Sequence, residues 1–69
     1  MNKKDFEMLK ASTDAMDFHL IGRYYYRAGT YGLGKYKEGR QMKQIGYCPD
    51  FRNMSFDKVK EELRKPYSE

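Results

Sequence analysis

The chain has 69 residues, of which 39% are hydrophobic and 35% are charged, and its formal net charge is +4. A chain of this length forms one small domain with a thin core, which excludes multidomain enzymes, barrels and doubly wound sheets. Four Phe and seven Tyr supply enough large apolar groups for a core, so we expect a folded chain.

The cysteine and histidine content limits the chemistry. Cys48 is the only cysteine and His19 is the only histidine, so we expect neither an internal disulfide nor a four-ligand zinc site. No apolar run approaches the roughly 20 residues of a membrane span, and no signal-peptide pattern is visible. We therefore expect a cytoplasmic protein with no metal, no cofactor and no membrane contact. We also expect no enzymatic activity, because no catalytic constellation is present.

Residues 3–12 are predicted to form the first helix. Asn2 can cap it, and Phe6 and Leu9 fall on one face. The residues at 12–14 prefer caps to helix interiors, so we place the end of the helix there. An alternative remains open, since a heptad-like spacing would suit one unbroken helix that includes Phe6, Leu9, Thr13, Met16 and Leu20.

The second element is ambiguous between a helix and a strand. Across residues 18–27, apolar and polar residues partly alternate, which is typical of a strand. Signals for the two ends of a helix favour a helix over 14–28, and they come from Thr13, Asp14, Asp17, Arg23, Arg27 and Gly29. We therefore predict a helix here. Gly22 inside it would cost about 1 kcal/mol relative to Ala.

Glycine content changes the prediction from residue 29 onward, because five of the six glycines lie between residues 29 and 48. Residues 31–37 and 41–48 are predicted to form the two strands of a hairpin. The last helix is predicted to begin after Ser55, with Phe56, Val59 and Leu63 on one face. The predicted fold is α+β: a small, mostly helical, winged-helix-like domain in the order helix, helix, β-hairpin, helix.

Positive charge is concentrated in the middle third of the chain. Residues 22–52 carry seven Lys or Arg against two acids, while the segments before and after are close to neutral. Six of the seven tyrosines lie in the same middle segment. Concentrated positive charge predicts an anionic partner. The alternative interpretation is a solvated face without a ligand.

A seven-residue run in this segment, Arg-Tyr-Tyr-Tyr-Arg-Ala-Gly at positions 23–29, resembles the R-Y-Y-x-R-x-G run of MerR-type and excisionase-type winged-helix domains. In that family the run closes the recognition helix, and a glycine-containing hairpin, the wing, follows it. A helix that opens with Ser and carries spaced Val and Leu comes next, as at Ser55, Val59 and Leu63. The resemblance implies duplex DNA binding and transcription regulation.

The first functional hypothesis is therefore a nucleic-acid-binding regulatory module, with duplex DNA as the first choice of ligand. Phosphate contacts would position the protein, and with RNA or single strands the tyrosines would stack on bases. We expect one continuous outward surface formed by Arg23, Tyr24, Tyr25, Tyr26, Arg27, Lys35, Lys37, Arg40 and Lys43.

The alternative hypothesis is a small phage-type inhibitor or adaptor that acts by binding a larger host protein. Its support is the small size of the chain and its many Tyr, Met and Arg residues, which suit a protein–protein interface. A homodimer is also compatible with the sequence.

Overall fold

The computed structural model describes residues 1–12, 17–65 and 67. In these ranges it has two α-helices, α1 and α2, a short 3₁₀ turn and four strands. The elements in chain order are α1 Lys3–Ala11, β1 His19–Ile21, β2 Tyr24–Ala28, β3 Gly32–Lys37, β4 Lys43–Pro49, the 3₁₀ turn Phe51–Asn53 and α2 Phe56–Arg64. The predicted mostly helical, winged-helix-like architecture is wrong, because the chain is a small α+β domain built on a sheet.

The four strands form one antiparallel sheet in the order β1-β2-β3-β4, so each strand pairs with the next along the chain. Ala28 lies opposite Leu33, and Leu33 lies opposite Cys48, which defines one row of side chains across three strands. The β3–β4 pairing contains an irregularity that leaves Ile45 without an opposite residue. The hairpin predicted over 31–48 is confirmed.

The helix predicted over 14–28 is wrong, since residues 19–28 form the β1–β2 hairpin. Gly22 and Arg23 are its two-residue turn, and Gly22 has φ +67°. A glycine with positive φ at the first turn position is typical of a type II′ hairpin. Gly22 is therefore a turn residue and not a helix interior, and the alternation across 18–27 was the correct signal. Thr13 and Asp14, assigned to the start of that helix, lie outside the described residues.

The first helix is confirmed. The Asn2 side chain accepts a hydrogen bond from the Asp5 N–H at 2.9 Å, and the Asp5 carboxylate accepts one from the Asn2 N–H at 3.1 Å. Phe6 and Leu9 are buried. The unbroken-helix alternative is wrong, because α1 ends at Ala11 and Leu20 lies in β1. Two residues of that pattern, at positions 13 and 16, lie outside the described residues.

The last helix is also confirmed. The Ser55 hydroxyl accepts a hydrogen bond from the Lys58 N–H at 3.3 Å, and Val59 and Leu63 are buried, with Phe56 packed against the core. Each α-helix has nine residues. Within the described ranges, no helix has the length and apolar character needed to cross a membrane.

Both helices pack on one face of the sheet, which we call the inner face. Its strand residues alternate with those of the opposite face because side chains in a strand point to the two sides in turn. The core between the sheet and the helices consists of Phe6, Leu9, Tyr26, Ala28, Leu33, Cys48, Phe51, Val59 and Leu63. The opposite face, called the outer face, is not covered by any helix of the described ranges.

Arg52 ties three separated parts of the chain together. Its guanidinium donates to the carbonyl oxygens of Gly29 at 2.7 Å, Ser12 at 3.1 Å and Lys10 at 3.3 Å. These carbonyls belong to the β2–β3 turn and to the end of α1. Arg52 counts toward the positive charge of the middle segment, but its hydrogen-bonding groups serve the fold.

Candidate nucleic-acid interface

The nine predicted contact residues lie in three places on the sheet. Four lie at one end of it, two lie on the outer face and three lie on the inner face. The end and the outer face adjoin each other where Tyr25 lies opposite Tyr36 and donates to Glu38. Alternation turns Lys37, two residues after Lys35, and Lys43 opposite it toward the inner side, so the structure does not bring the nine residues onto one surface.

The first group occupies the sheet end that carries the β1–β2 and β3–β4 turns, which an antiparallel meander places at the same side. We call this group the basic end, and it consists of Arg23, Lys37, Arg40 and Lys43. All four residues are exposed, and Lys37 lies directly opposite Lys43 across the β3–β4 pair. Like charges directly opposite each other are destabilising. None of the four makes an ion pair with another described residue.

The second group lies on the outer face, where aromatic and aliphatic side chains form two rows across the strands. One row has Leu20, Tyr25 and Tyr36 opposite one another. The other has Arg27, Gly34 and Tyr47, with Phe18 beside Arg27. Leu20 is 59% exposed, Phe18 39% and Tyr47 38%, so this face presents apolar surface to solvent.

Arg27 is held on the outer face by aromatic rings. Its guanidinium carbon lies 5.4 Å from the centre of the Phe18 ring and 5.5 Å from that of Tyr36. These two rings meet edge to face with their centres 5.0 Å apart. Stacking on rings orients a guanidinium without using its N–H donors.

Tyr25 connects the outer face to the basic end. Its hydroxyl donates a hydrogen bond to Glu38 Oε2 at 3.2 Å. The hydrogen bond to this carboxylate, together with its negative charge, raises the pKa of Tyr25 above its ordinary value. Glu38 is the only acid between His19 and Pro49, a span that carries six Lys and Arg.

The third group lies on the inner face. Tyr26 is 4% exposed and belongs to the core, and burial raises its pKa. Such a side chain offers no surface to a ligand. Tyr24 is half-buried beneath Lys35, whose Nζ lies 4.2 Å from the centre of its ring. The expected single surface therefore does not include these three residues.

Lys35 borders a separate cleft on the helix side. The cleft has a volume of about 170 Å³ and is lined by Met1, Tyr26, Lys35, Lys60, Leu63 and Arg64. Arg64 lies in the last turn of α2, where positive charge complements the helix dipole, and this gives it a structural role. Lys60 lies in the middle of α2, with its ammonium 5.0 Å from the centre of the Phe56 ring.

Sequence reasoning did not identify Phe18, Leu20, Tyr36 and Tyr47 as members of this surface. The available signal was the alternation that begins at Phe18, because a strand there places every second residue on one face. Tyr36 and Tyr47 lie on the outer face of the confirmed β3–β4 hairpin. Their position depends on the register, which the sequence pattern did not specify.

Comparisons with protein-family models, with curated proteins and with solved structures found no match to this chain. The MerR-type resemblance therefore stays a resemblance of the run at residues 23–29. Its structural implication is wrong, because this run forms part of the β1–β2 turn and strand β2 and not the end of a recognition helix. The basic end and the outer face stand on their own geometry.

Proposed function

We propose that this chain is a small nucleic-acid-binding module. The observation that carries the proposal is the basic end, which gathers four exposed cations that have no ion-pair partner among the described residues. Repulsion between such cations falls when an anion is bound between them. We propose that the biological role of this binding is regulatory, for example in transcription.

The charge distribution supports a polyanion as the ligand. Between His19 and Pro49 there are six Lys and Arg and one acid, Glu38, which accepts a hydrogen bond from Tyr25. Lys and Arg at such positions neutralise phosphates and release counterions, which supplies most of the sequence-independent affinity for nucleic acids. A cytoplasmic location accompanies the proposal, since the buried free thiol of Cys48 suits a reducing compartment.

Fluorescence anisotropy with a labelled random duplex of about 20 base pairs and with one of its strands tests the proposal. We expect binding at low salt. The double variant Arg40→Gln with Lys43→Gln should weaken binding to the preferred ligand about tenfold, because each exposed cation–phosphate pair contributes up to about 1 kcal/mol.

The matched control is Lys3→Gln with Lys4→Gln, which removes the same charge from exposed positions on α1. Its affinity should stay within about twofold of the wild type if location and not total charge decides binding. Absence of binding to either ligand at low salt, or equal losses in the two double variants, would contradict the proposal.

A protein partner is the second candidate, in line with an inhibitor or adaptor that acts on a larger host protein. The observation in its favour is the exposed apolar surface of the outer face, where Leu20 is 59% exposed. Exposed apolar patches are frequent at protein–protein interfaces. A pull-down from nuclease-treated host lysate should retain a partner with the wild type and lose it with Leu20→Glu. An empty wild-type pull-down would contradict this candidate.

A further inference from the structure

The outer face combines three properties that a ligand could use at once. It carries aromatic rings with exposed surface, it carries an arginine oriented by those rings, and it adjoins the basic end. On the inner face the helices pack against the strands, and the ring that a strand cation contacts there is Tyr24, which is half-buried beneath Lys35. The chemistry of the outer face therefore bears on which form of nucleic acid the chain binds.

The first step concerns Arg27. Its guanidinium lies against Phe18 and Tyr36 and has no hydrogen-bond or ion-pair acceptor among the described residues. A guanidinium carries five N–H donors, and phosphate oxygens match their fork geometry. The rings thus fix the direction of a donor group that is available to a phosphate lying along the sheet.

The second step concerns Tyr47. The space where Gly32 would carry a Cβ is filled by the phenol end of Tyr47, with the hydroxyl oxygen 2.6 Å from that Cβ position. The ring is therefore held against the backbone of β3, while 38% of the residue stays exposed. Phe18, whose ring lies against Arg27, is 39% exposed. A base can stack on ring surface that is held in this way.

The third step compares ligands. In a duplex the faces of the bases are stacked on one another, so rings on a sheet reach only the backbone and the groove edges. In a single strand the bases are free to leave the stack and lie on aromatic side chains, while the cations follow the phosphates. Exposed rings beside an oriented arginine favour the single strand.

From these observations we infer that the outer face binds single-stranded nucleic acid, with bases stacked on Phe18 and Tyr47 and a phosphate on Arg27. The inference rests on the proposed function and replaces duplex DNA as the preferred ligand. Apolar exposure alone would also suit a protein, but Arg27, which lies against the rings and forms no ion pair with a described residue, favours a polyanion.

The test measures the affinities of wild type for single-stranded DNA and single-stranded RNA of about 12 nucleotides, and for the DNA duplex of the same sequence. Both single strands should bind at least about tenfold more tightly than the duplex. The tighter of the two single strands identifies the sugar that the face prefers, since the 2′-hydroxyl distinguishes RNA from DNA.

The variant Tyr47→Leu should lower single-strand affinity about tenfold and leave duplex affinity unchanged. Tyr47→Phe, which keeps the ring, should restore most of it. Tyr67→Leu is the matched control, because Tyr67 is also 38% exposed but lies beyond α2. Arg27→Lys should weaken single-strand binding, since it keeps the charge and loses the planar fork. Thermal unfolding of each variant establishes that the fold is retained.

The outcomes separate the inference from the proposed function. Equal or tighter duplex binding that depends on Arg40 and Lys43 but not on Tyr47 would overturn the inference and leave the proposed function standing. Absence of binding to all three ligands at low salt would overturn both. Equal losses in Tyr47→Leu and Tyr67→Leu would also overturn the inference.

Discussion

Two glycine–tyrosine pairs on β3 and β4 determine how the rings lie on the outer face. The phenol of Tyr36 fills the space above Gly34, with ring carbon Cε1 2.6 Å from the Cβ position, and Tyr47 does the same above Gly32. Tyr36 is only 8% exposed although no described helix covers it, because Phe18, Arg27 and the glycine backbone surround it. Positions 32 and 34 therefore require glycine, because a Cβ atom at either one would overlap a tyrosine ring.

A methyl group at position 34 should disturb this arrangement. We expect Gly34→Ala to lower the free energy of unfolding by about 1–3 kcal/mol, because the new Cβ overlaps the Tyr36 ring, which has neighbours on its other sides. Urea denaturation measures the change. Gly39→Ala is the control, since its nearest atom would be Gln41 O at 3.6 Å, and it should change stability by less than about 0.5 kcal/mol. Equal changes in the two variants would refute the steric argument.

Among the described residues, the Arg52 side chain joins separate elements of the fold through three hydrogen bonds. It follows the first residue of the 3₁₀ turn, and its three carbonyl acceptors lie on α1, just after α1 and in the β2–β3 turn. Its guanidinium also lies 4.6 Å from the centre of the Phe51 ring. These contacts join parts of the chain that are up to 42 residues apart.

Replacing this arginine by lysine keeps the charge and removes the fork. We expect Arg52→Lys to lower the free energy of unfolding by about 2 kcal/mol, because one ammonium cannot reach three carbonyls in this arrangement. Arg64→Lys, at an exposed position on α2, should be close to neutral. Thermal and urea unfolding measure both. A stability for Arg52→Lys equal to that of the wild type would show that the three hydrogen bonds contribute nothing net.

The elements that sequence reasoning predicted correctly are those with local causes. α1 and α2 have capping side chains within three residues of the groups that they bind, and the β3–β4 hairpin has glycines that disfavour a helix. The β1–β2 hairpin was not predicted because residues that were interpreted as the ends of a helix make different contacts in the sheet. Arg27 stacks on rings across the sheet, and Gly29 belongs to the β2–β3 turn, where its N–H donates to Gly32 O.

The candidate site was predictable only in part for the same reason. Its cations can be read from composition, since positive charge clusters between residues 22 and 52. The separation of Tyr24 and Tyr26 from Tyr25 and Arg27 depends on the strand assignment, because a helix would have grouped them differently. Once a strand is assigned, alternation alone places these four residues on two faces.

At the scale of the whole molecule, charge is divided between the two layers. α1 and α2 together carry six cations and five acids, whereas the span from His19 to Pro49 carries six cations and one acid. The helix layer also contains the ion pairs of the described residues, such as Lys65 with Glu62 at 2.9 Å. An approaching polyanion therefore meets the sheet side at a more positive potential.

This division predicts a measurable salt dependence. If Arg27 and the four cations of the basic end each contact one phosphate of a single strand, log affinity against log salt should have a slope of about −3.5. The variant Arg40→Gln with Lys43→Gln should bring the slope to about −2, while Lys3→Gln with Lys4→Gln should leave it unchanged. Titrations between about 50 and 200 mM salt give these slopes. A slope near zero in the wild type would exclude phosphate contacts at the basic end.

The strict alternation along β2 has an evolutionary consequence. Interior positions such as Tyr26 and Ala28 maintain the hydrophobic contacts, while their immediate neighbours Tyr25 and Arg27 face outward. Some outward side chains, unlike Tyr36 and Tyr47, do not pack against a glycine of β3. Substitutions at those positions can accumulate with little effect on folding. Descendants of this sequence can thus acquire new ligand preferences while they inherit an unchanged interior.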